Sequence, residues 1–412
     1  MLLPNKKIAE MVVFFSAFGG VFIFGKLPLW LAVTAILLPI LFIDMLFKRP
    51  KLNAAFSFFI IALLVVSIIN VQNLHLTTVT YSLFLSCVFL LSKRKIELCK
   101  PEALIKIYKS IIIIFFILFI LGIVLYLLLG VTELSLIKVD VSRGIPRSYG
   151  PTTEPSYAAI TLTISMWVLC SSVSNSYLKI RGYLFIYLIS IILIGSGIGF
   201  ITCAFLLMYI FFSSNFKVLR AEKFIILVAL LLIFPFLSID IERLKPVFTV
   251  LADITEFGTA WELFDALKLV DASAWFRFGP FVEYILDVEM NQITNFLFGN
   301  GAGTSTAYFG EKYIEHIDPE WFNEDGKPIM DLAFFPAFLY DYGFIVTLLF
   351  VGYVWNLGRE IKGSLFLIPI ACLVFFNSNY NTSLFWFFIY SLLVMNVISA
   401  KEVLLEKNKD FS

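Results

Sequence analysis

The chain has 412 residues, 60% of them apolar and 15% charged, with a mean hydropathy of +0.92. That balance excludes an ordinary soluble domain, in which about a quarter of the residues are charged, and points to an integral membrane protein. A net charge of +1, carried in short Lys and Arg blocks between apolar runs, excludes a basic face for nucleic acid.

Lys6 and Lys7 precede an apolar run to Gly25, the pattern that opens a secretory signal. The next run begins at Leu27 and no small-x-small cleavage site intervenes, so an uncleaved first helix is expected. Apolar runs then predict spans over 8–25, 27–47, 54–72, 76–92, 110–131, 155–173, 182–195, 197–213, 224–240, 334–356, 364–377 and 383–400. The expected fold class is an all-α polytopic membrane protein of about twelve transmembrane helices.

Charge decides the one ambiguous pair. Residues 182–213 could in principle form one long helix, but that would place Lys217, Arg220 and Lys223 outside and invert every later segment. With a hairpin at Gly195-Ser196-Gly197 and the N-terminus inside, inner segments hold 21 Lys and Arg and the short outer loops hold four. Both termini are then expected in the cytoplasm. Two inner features read as structural: the Lys93-Arg94-Lys95 block, and an interfacial helix opening at Pro101 and Glu102 with Leu104, Ile105 and Tyr108 on one face.

Asp240 to Asp331 is too long for a structureless connection and is expected to fold as a helical outer cap. Trp261, Phe264 and Leu267 recur at helical spacing there, and Pro280 opens a second run with Phe281, Ile285, Val288 and Phe296 on one side. The expected organisation is 1–239 with nine helices and an outer loop at 132–154, the cap at 240–333, and 334–412 with the last three helices. The cap region holds 17 of the chain's 30 carboxylates against six Lys and Arg, so an anion site there must be built from a few placed arginines. Cys87, Cys99, Cys170, Cys203 and Cys372 are scattered without metal-ligand spacing, so neither a disulfide nor a structural zinc is expected. His75 and His316 read as solvated side chains of outer loops.

The outer loop from Arg143 to Tyr157, RGIPRSYGPTTEPSY, concentrates two arginines, two glycines, three prolines and a carboxylate in fifteen residues. Pro155 suits the first turn of the next helix, so Glu154 stands at a helix N-terminus, where the dipole favours negative charge. Glu154 is therefore either a cap or a functional carboxylate. Asp341 lies about seven residues, or roughly 10 Å, into its helix and is expected to face a cavity rather than lipid. Gly299, Gly301 and Gly303 offer a backbone nest for a phosphate or, more simply, a tight turn after a helix.

Arg147, Gly150, Glu154, Pro155 and Ser156 match a loose Arg-x-x-Gly-x-x-x-Glu-Pro-Ser pattern before a helix. With Arg277, the Phe298-Gly299-Asn300-Gly301-Ala302-Gly303 segment and Phe335 to Gly343, the chain resembles the Wzy-type O-antigen and capsule polymerases over most of its length. The family's Ser-Arg at the turn between the seventh and eighth helices is replaced here by Gly195-Ser-Gly-Ile-Gly199.

That resemblance implies a C-type glycosyltransferase architecture in the bacterial inner membrane. It also implies transfer of a growing glycan from undecaprenyl diphosphate to a lipid-linked repeat unit on the outer face. Arg143, Arg147 and Arg277 become candidates for the diphosphate with Tyr157 beside them, because bidentate Arg best stabilises a departing diphosphate. Glu154 and Asp341 become candidates for the base or positioning acceptor. The expected partners are the lipid-linked donor and acceptor and a chain-length regulator protein, with no metal, cofactor or nucleic acid. An O-antigen ligase shares the donor; a lipid-linked oligosaccharide flippase is the non-enzymatic alternative, for which polar residues spread through the bundle and short outer loops are expected.

Overall fold

The computed structural model describes residues 5–23, 27–47, 54–72, 75–134, 136–141, 146–172, 180–212, 293–312, 332–359 and 367–410, with residues 245, 249–250, 262, 266, 277, 279–281, 284 and 361. These residues are mostly helical. The first helix, α1 (Asn5–Ser16), ends short of the expected span. The Gly20 N–H donates to Pro151 O at 2.8 Å, and side chains at Gly19 and Gly20 would collide with Ser383 and Thr152, so the chain turns where two glycines allow close approach. A two-residue antiparallel pair, β1 (Phe22–Ile23) and β2 (Leu27–Pro28), leads into α2 (Leu29–Phe47) and α3 (Ala54–Ile69).

Helix α4 (Leu76–Glu97) carries the Lys93-Arg94-Lys95 block near its C-terminus, with Arg94 and Lys95 in its last turn. Helix α5 (Pro101–Leu129) starts with Pro101 in its first turn and Glu102 behind it, and ends at Gly130 in a left-handed cap whose N–H bonds Tyr126 O. The separate interfacial helix expected at Pro101 is corrected: it forms the first turns of α5, which runs unbroken for 29 residues, about 44 Å.

Residues 132–154, expected as a plain loop, hold a three-stranded antiparallel sheet of β3 (Glu133–Leu134), β4 (Ile137–Asp140) and β5 (Arg147–Ser148) in that order. Helix α6 (Pro155–Ser172) follows directly, with 16 of its 18 residues buried. It packs against α5, α7 (Arg181–Ile194), α8 (Gly197–Phe212), α12 (Leu367–Asn377) and α13 (Ser383–Asp410), as a helix apolar on all sides must. Thr163 Oγ1 lies 2.9 Å from Tyr187 OH and 3.0 Å from Thr202 Oγ1, tying α6 to α7 and α8 through buried hydroxyls. The hairpin between α7 and α8 stands as expected, turning at Gly195 with φ 57°.

The described part of the expected cap includes α9 (Ile293–Phe298) and α10 (Ser305–Lys312), and both pack on α11 (Phe334–Gly358). An aromatic core joins α11, α12 and α13. Phe334 stacks on Phe338 at 4.7 Å and Phe385 at 4.9 Å, and the Tyr380 and Ser86 hydroxyls, 2.6 Å apart, connect this core to α4.

Four described helices are long and apolar enough to cross a membrane: α4, α5, α11 and the Ser383–Lys401 part of α13. The expected count of about twelve is corrected on this point. Five further helices contain described apolar stretches of 10–17 residues, at most about 26 Å, against a hydrocarbon core of about 30 Å. The expected span at 224–240 and the Trp261, Phe264, Leu267 stripe lie outside the described residues. The physical reason is that apolar runs also mark helices buried in protein, and α6 is the clearest example.

Helix α11 is broken at Gly343, where φ is 79° and ψ 172°. The break exposes the carbonyls of Tyr340 and Asp341, and the loop after α9 satisfies them: Asn300 N–H donates to Tyr340 O at 2.9 Å and Gly301 N–H to Asp341 O at 3.1 Å. Gly299 and Gly343 meet backbone to backbone, so a Cβ on either would strike the other strand of chain. Gly343→Ala is therefore expected to cost at least about 1–3 kcal/mol from the left-handed backbone alone. Its melting midpoint in detergent should fall by several degrees; an unchanged midpoint would show that the loop is not seated in the break.

Candidate functional site

The site is built from the head of α6 outward. Asp140 and Arg147 are direct cross-strand partners in the β4–β5 pair, so their side chains leave the sheet on one face and form an ion pair. The Arg147 side chain is 11% exposed, lies across Gly195, and directs Nη1 toward Gly195 O at 3.5 Å. Arg147 thus sits over the α7–α8 turn, and its Nε is buried without an acceptor. Tyr149 follows, half-buried. Desolvation, reinforced by the carboxylates of Glu133, Asp140 and Glu154 and opposed by Arg147, holds its phenol above the ordinary tyrosine range.

The chain then turns at Gly150, where φ is 54° and Phe119 lies against the Cα, and reaches Thr152, whose hydroxyl is 2.8 Å from Tyr149 O and 3.0 Å from Glu154 O. The Glu154 carbonyl accepts the first helical bond, from Ala158 N–H at 3.2 Å, so Glu154 is the N-cap residue of α6. Its side chain does more than a cap requires. Oε2 accepts the Ser156 hydroxyl at 3.0 Å and faces Arg277 Nη2 at 3.8 Å. Arg277 arrives from the expected cap, more than a hundred residues along the chain. The two side chains are 28% (Arg277) and 50% (Glu154) exposed. Tyr157, one turn into α6, is half-buried against the core.

Asp341 occupies a different setting. Its Oδ2 accepts Gly303 N–H at 2.9 Å and its Oδ1 accepts Ser305 N–H at 2.8 Å, with 6% of the residue exposed. It acts as the N-terminal acceptor for α10 from across the helix break. Of the two readings of Gly299, Gly301 and Gly303, the turn is the one seen, and all three have positive φ. The loop is held further by Asn70 Nδ2 to Phe298 O at 3.0 Å and by His75 N–H to Ala302 O at 2.8 Å. Beside it Tyr308 stacks on Tyr340 at 4.5 Å, and Asn300 Nδ2 donates to Tyr284 OH at 3.3 Å. Burial pushes the Tyr284 hydroxyl up to about 12.

Glu154, Arg277 and Tyr157 therefore gather at the head of α6, and Arg147 stands on the adjoining sheet. Asp341 serves the glycine loop, while Arg143 and His316 lie outside the described residues. The sequence reading missed Asp140. The alternation Ile137-Lys-Val-Asp140, separated from Arg147 by a segment containing Gly144 and Pro146, was the available signal. Among the described residues no three His, Cys, Asp or Glu side chains converge on a common point for a cation.

Fold and site together define a helical protein with four described helices long and apolar enough to cross a membrane, and a polar site of two Arg–carboxylate pairs where α6 begins. No known protein family, characterised protein or solved structure matches the chain.

Proposed function

We propose that this chain is a membrane glycosyltransferase that polymerises undecaprenyl-diphosphate-linked oligosaccharide repeat units, acting on the outer face of the bacterial inner membrane with both termini in the cytoplasm. The observation that carries the reading is the approach of Arg277 to Glu154 at the head of α6. Two segments that resemble the Wzy-type polymerases, far apart in sequence, bring a cation and a carboxylate to one exposed point.

The chemistry asked of these residues is modest, because the diphosphate is already a good leaving group. A hydroxyl of the acceptor repeat unit forms a bond to the anomeric carbon of the donor glycan. The bond from that carbon to the diphosphate breaks, and its electron pair leaves with undecaprenyl diphosphate. Glu154 takes the hydroxyl proton and passes it to water. Arg277 stabilises the charge that develops on the leaving diphosphate. Arg147 contributes positive potential from its fixed place beside the α7–α8 turn. Asp341, with both oxygens engaged by backbone, keeps the loop and α10 in place.

The surface-glycan profile of a deletion strain tests this. Loss of long chains with retention of a single-repeat product is expected. Loss of the single capped unit as well would instead indicate a ligase or a flippase.

A further inference from the structure

We propose that a groove between α1 and the first half of α5 holds an anionic phospholipid of the surrounding bilayer, with its phosphate at Lys106 and Ser110 and an acyl chain along the apolar face beyond them. The groove has a volume of about 440 Å³ and is lined by Met11, Phe14 and Phe15 of α1 and by Lys106, Ser110 and Ile114 of α5. It lies toward the start of α5, away from the β3–β5 sheet, which packs around Gly122.

Polarity along α5 is graded as an amphiphile requires. Lys106 and Ser110, one turn apart, share a face that continues through Ile113, Ile117, Ile120 and Val124, and these four are exposed. The helix is long and apolar enough to cross a membrane. Its run without charge, Ser110 to Leu129, is about 30 Å long, the thickness of the hydrocarbon core. Lys106 therefore stands one turn outside the core, at the depth of the headgroups, and the exposed isoleucines stand at the depth of the acyl chains.

The sign of the charge selects the headgroup. Lys106 is exposed, and neither its ammonium nor the Ser110 hydroxyl has a hydrogen-bond or ion-pair partner among the described residues. Lys109 stands beside them over the Tyr183 ring, at 5.3 Å. Glu10 also lines the groove, and the exposed Lys7 one turn earlier on α1 offsets that charge, so the mouth stays positive. An ammonium and a hydroxyl on one face both donate to phosphate oxygens. An apolar stripe of about 21 Å behind them, from Ser110 to Val124, suits a lipid tail and not a soluble anion.

The test is lipid binding to the purified full-length protein in detergent, titrated with phosphatidylglycerol or phosphatidylcholine, with the first bound lipid read by native mass spectrometry. Phosphatidylglycerol is expected to bind at least about fivefold more tightly than phosphatidylcholine, and Lys106→Ala to remove about that factor. Lys100→Ala, at an exposed lysine of the same helix end outside the groove, should change affinity less than about twofold. Ser110→Phe fills the groove without altering charge and should weaken both lipids. Equal affinity for the two lipids overturns the proposal, as does unchanged binding by Ser110→Phe. An equal loss with Lys100→Ala also overturns it, reducing the effect to attraction by the general surface charge.

Discussion

Arg277→Ala is expected to lower turnover about a hundredfold, roughly 3 kcal/mol of transition-state stabilisation, with the protein still folded in the membrane. Loss of the loose 3.8 Å contact with a half-exposed Glu154 costs little by itself. The catalytic part follows from the proposed role on the leaving diphosphate. Arg147→Ala makes the contrasting case. It strips Asp140 of its cross-strand partner and empties the space over Gly195, so it should lower the melting midpoint as well as the activity. Arg277→Lys keeps charge but loses the fork and should recover only part of the rate. Turnover at saturating donor, read beside thermal stability, separates the two arginines. A normal rate for Arg277→Ala would make it a surface anchor.

Asp341→Ala should have the largest effect on stability. Removing the carboxylate leaves the buried Ser305 N–H without an acceptor, at about 1–3 kcal/mol, and the half-buried Gly303 N–H as well, at less. The cost falls where α10, the glycine loop and the broken helix meet, so loss of folded protein is expected before any specific catalytic defect. Asp341→Asn keeps one acceptor oxygen and should be intermediate. Protein yield and melting midpoint in detergent measure this. An Asp341→Ala protein of wild-type stability that fails to turn over would return Asp341 to the chemistry.

The elements legible in the sequence are those punctuated locally. Pro155 opens α6 and Gly195 ends α7 in a left-handed cap, and both boundaries follow from residues that act on their own backbone. The resemblance and the loop composition also singled out Glu154, Arg147 and Arg277 without any contact information. What was not legible depends on distant partners. The end of α1 depends on Thr152 and Ser383 pressing on Gly19 and Gly20, and the role of Asp341 depends on N–H groups of a loop nearly forty residues upstream. The β4–β5 pair is too short for alternation to stand out, and it took Asp140 with it. Counting spans from hydropathy failed because burial in protein and burial in lipid select the same residues.

The most direct measurement uses the purified protein, reconstituted with undecaprenyl-diphosphate-linked repeat units as the sole substrate, with products resolved by length. The account predicts a ladder of lipid-linked chains of increasing repeat number, with one undecaprenyl diphosphate released for every linkage formed, and its absence with Glu154→Gln. Repeat units recovered unchanged, or merely moved across the bilayer with no new glycosidic bond, would contradict it.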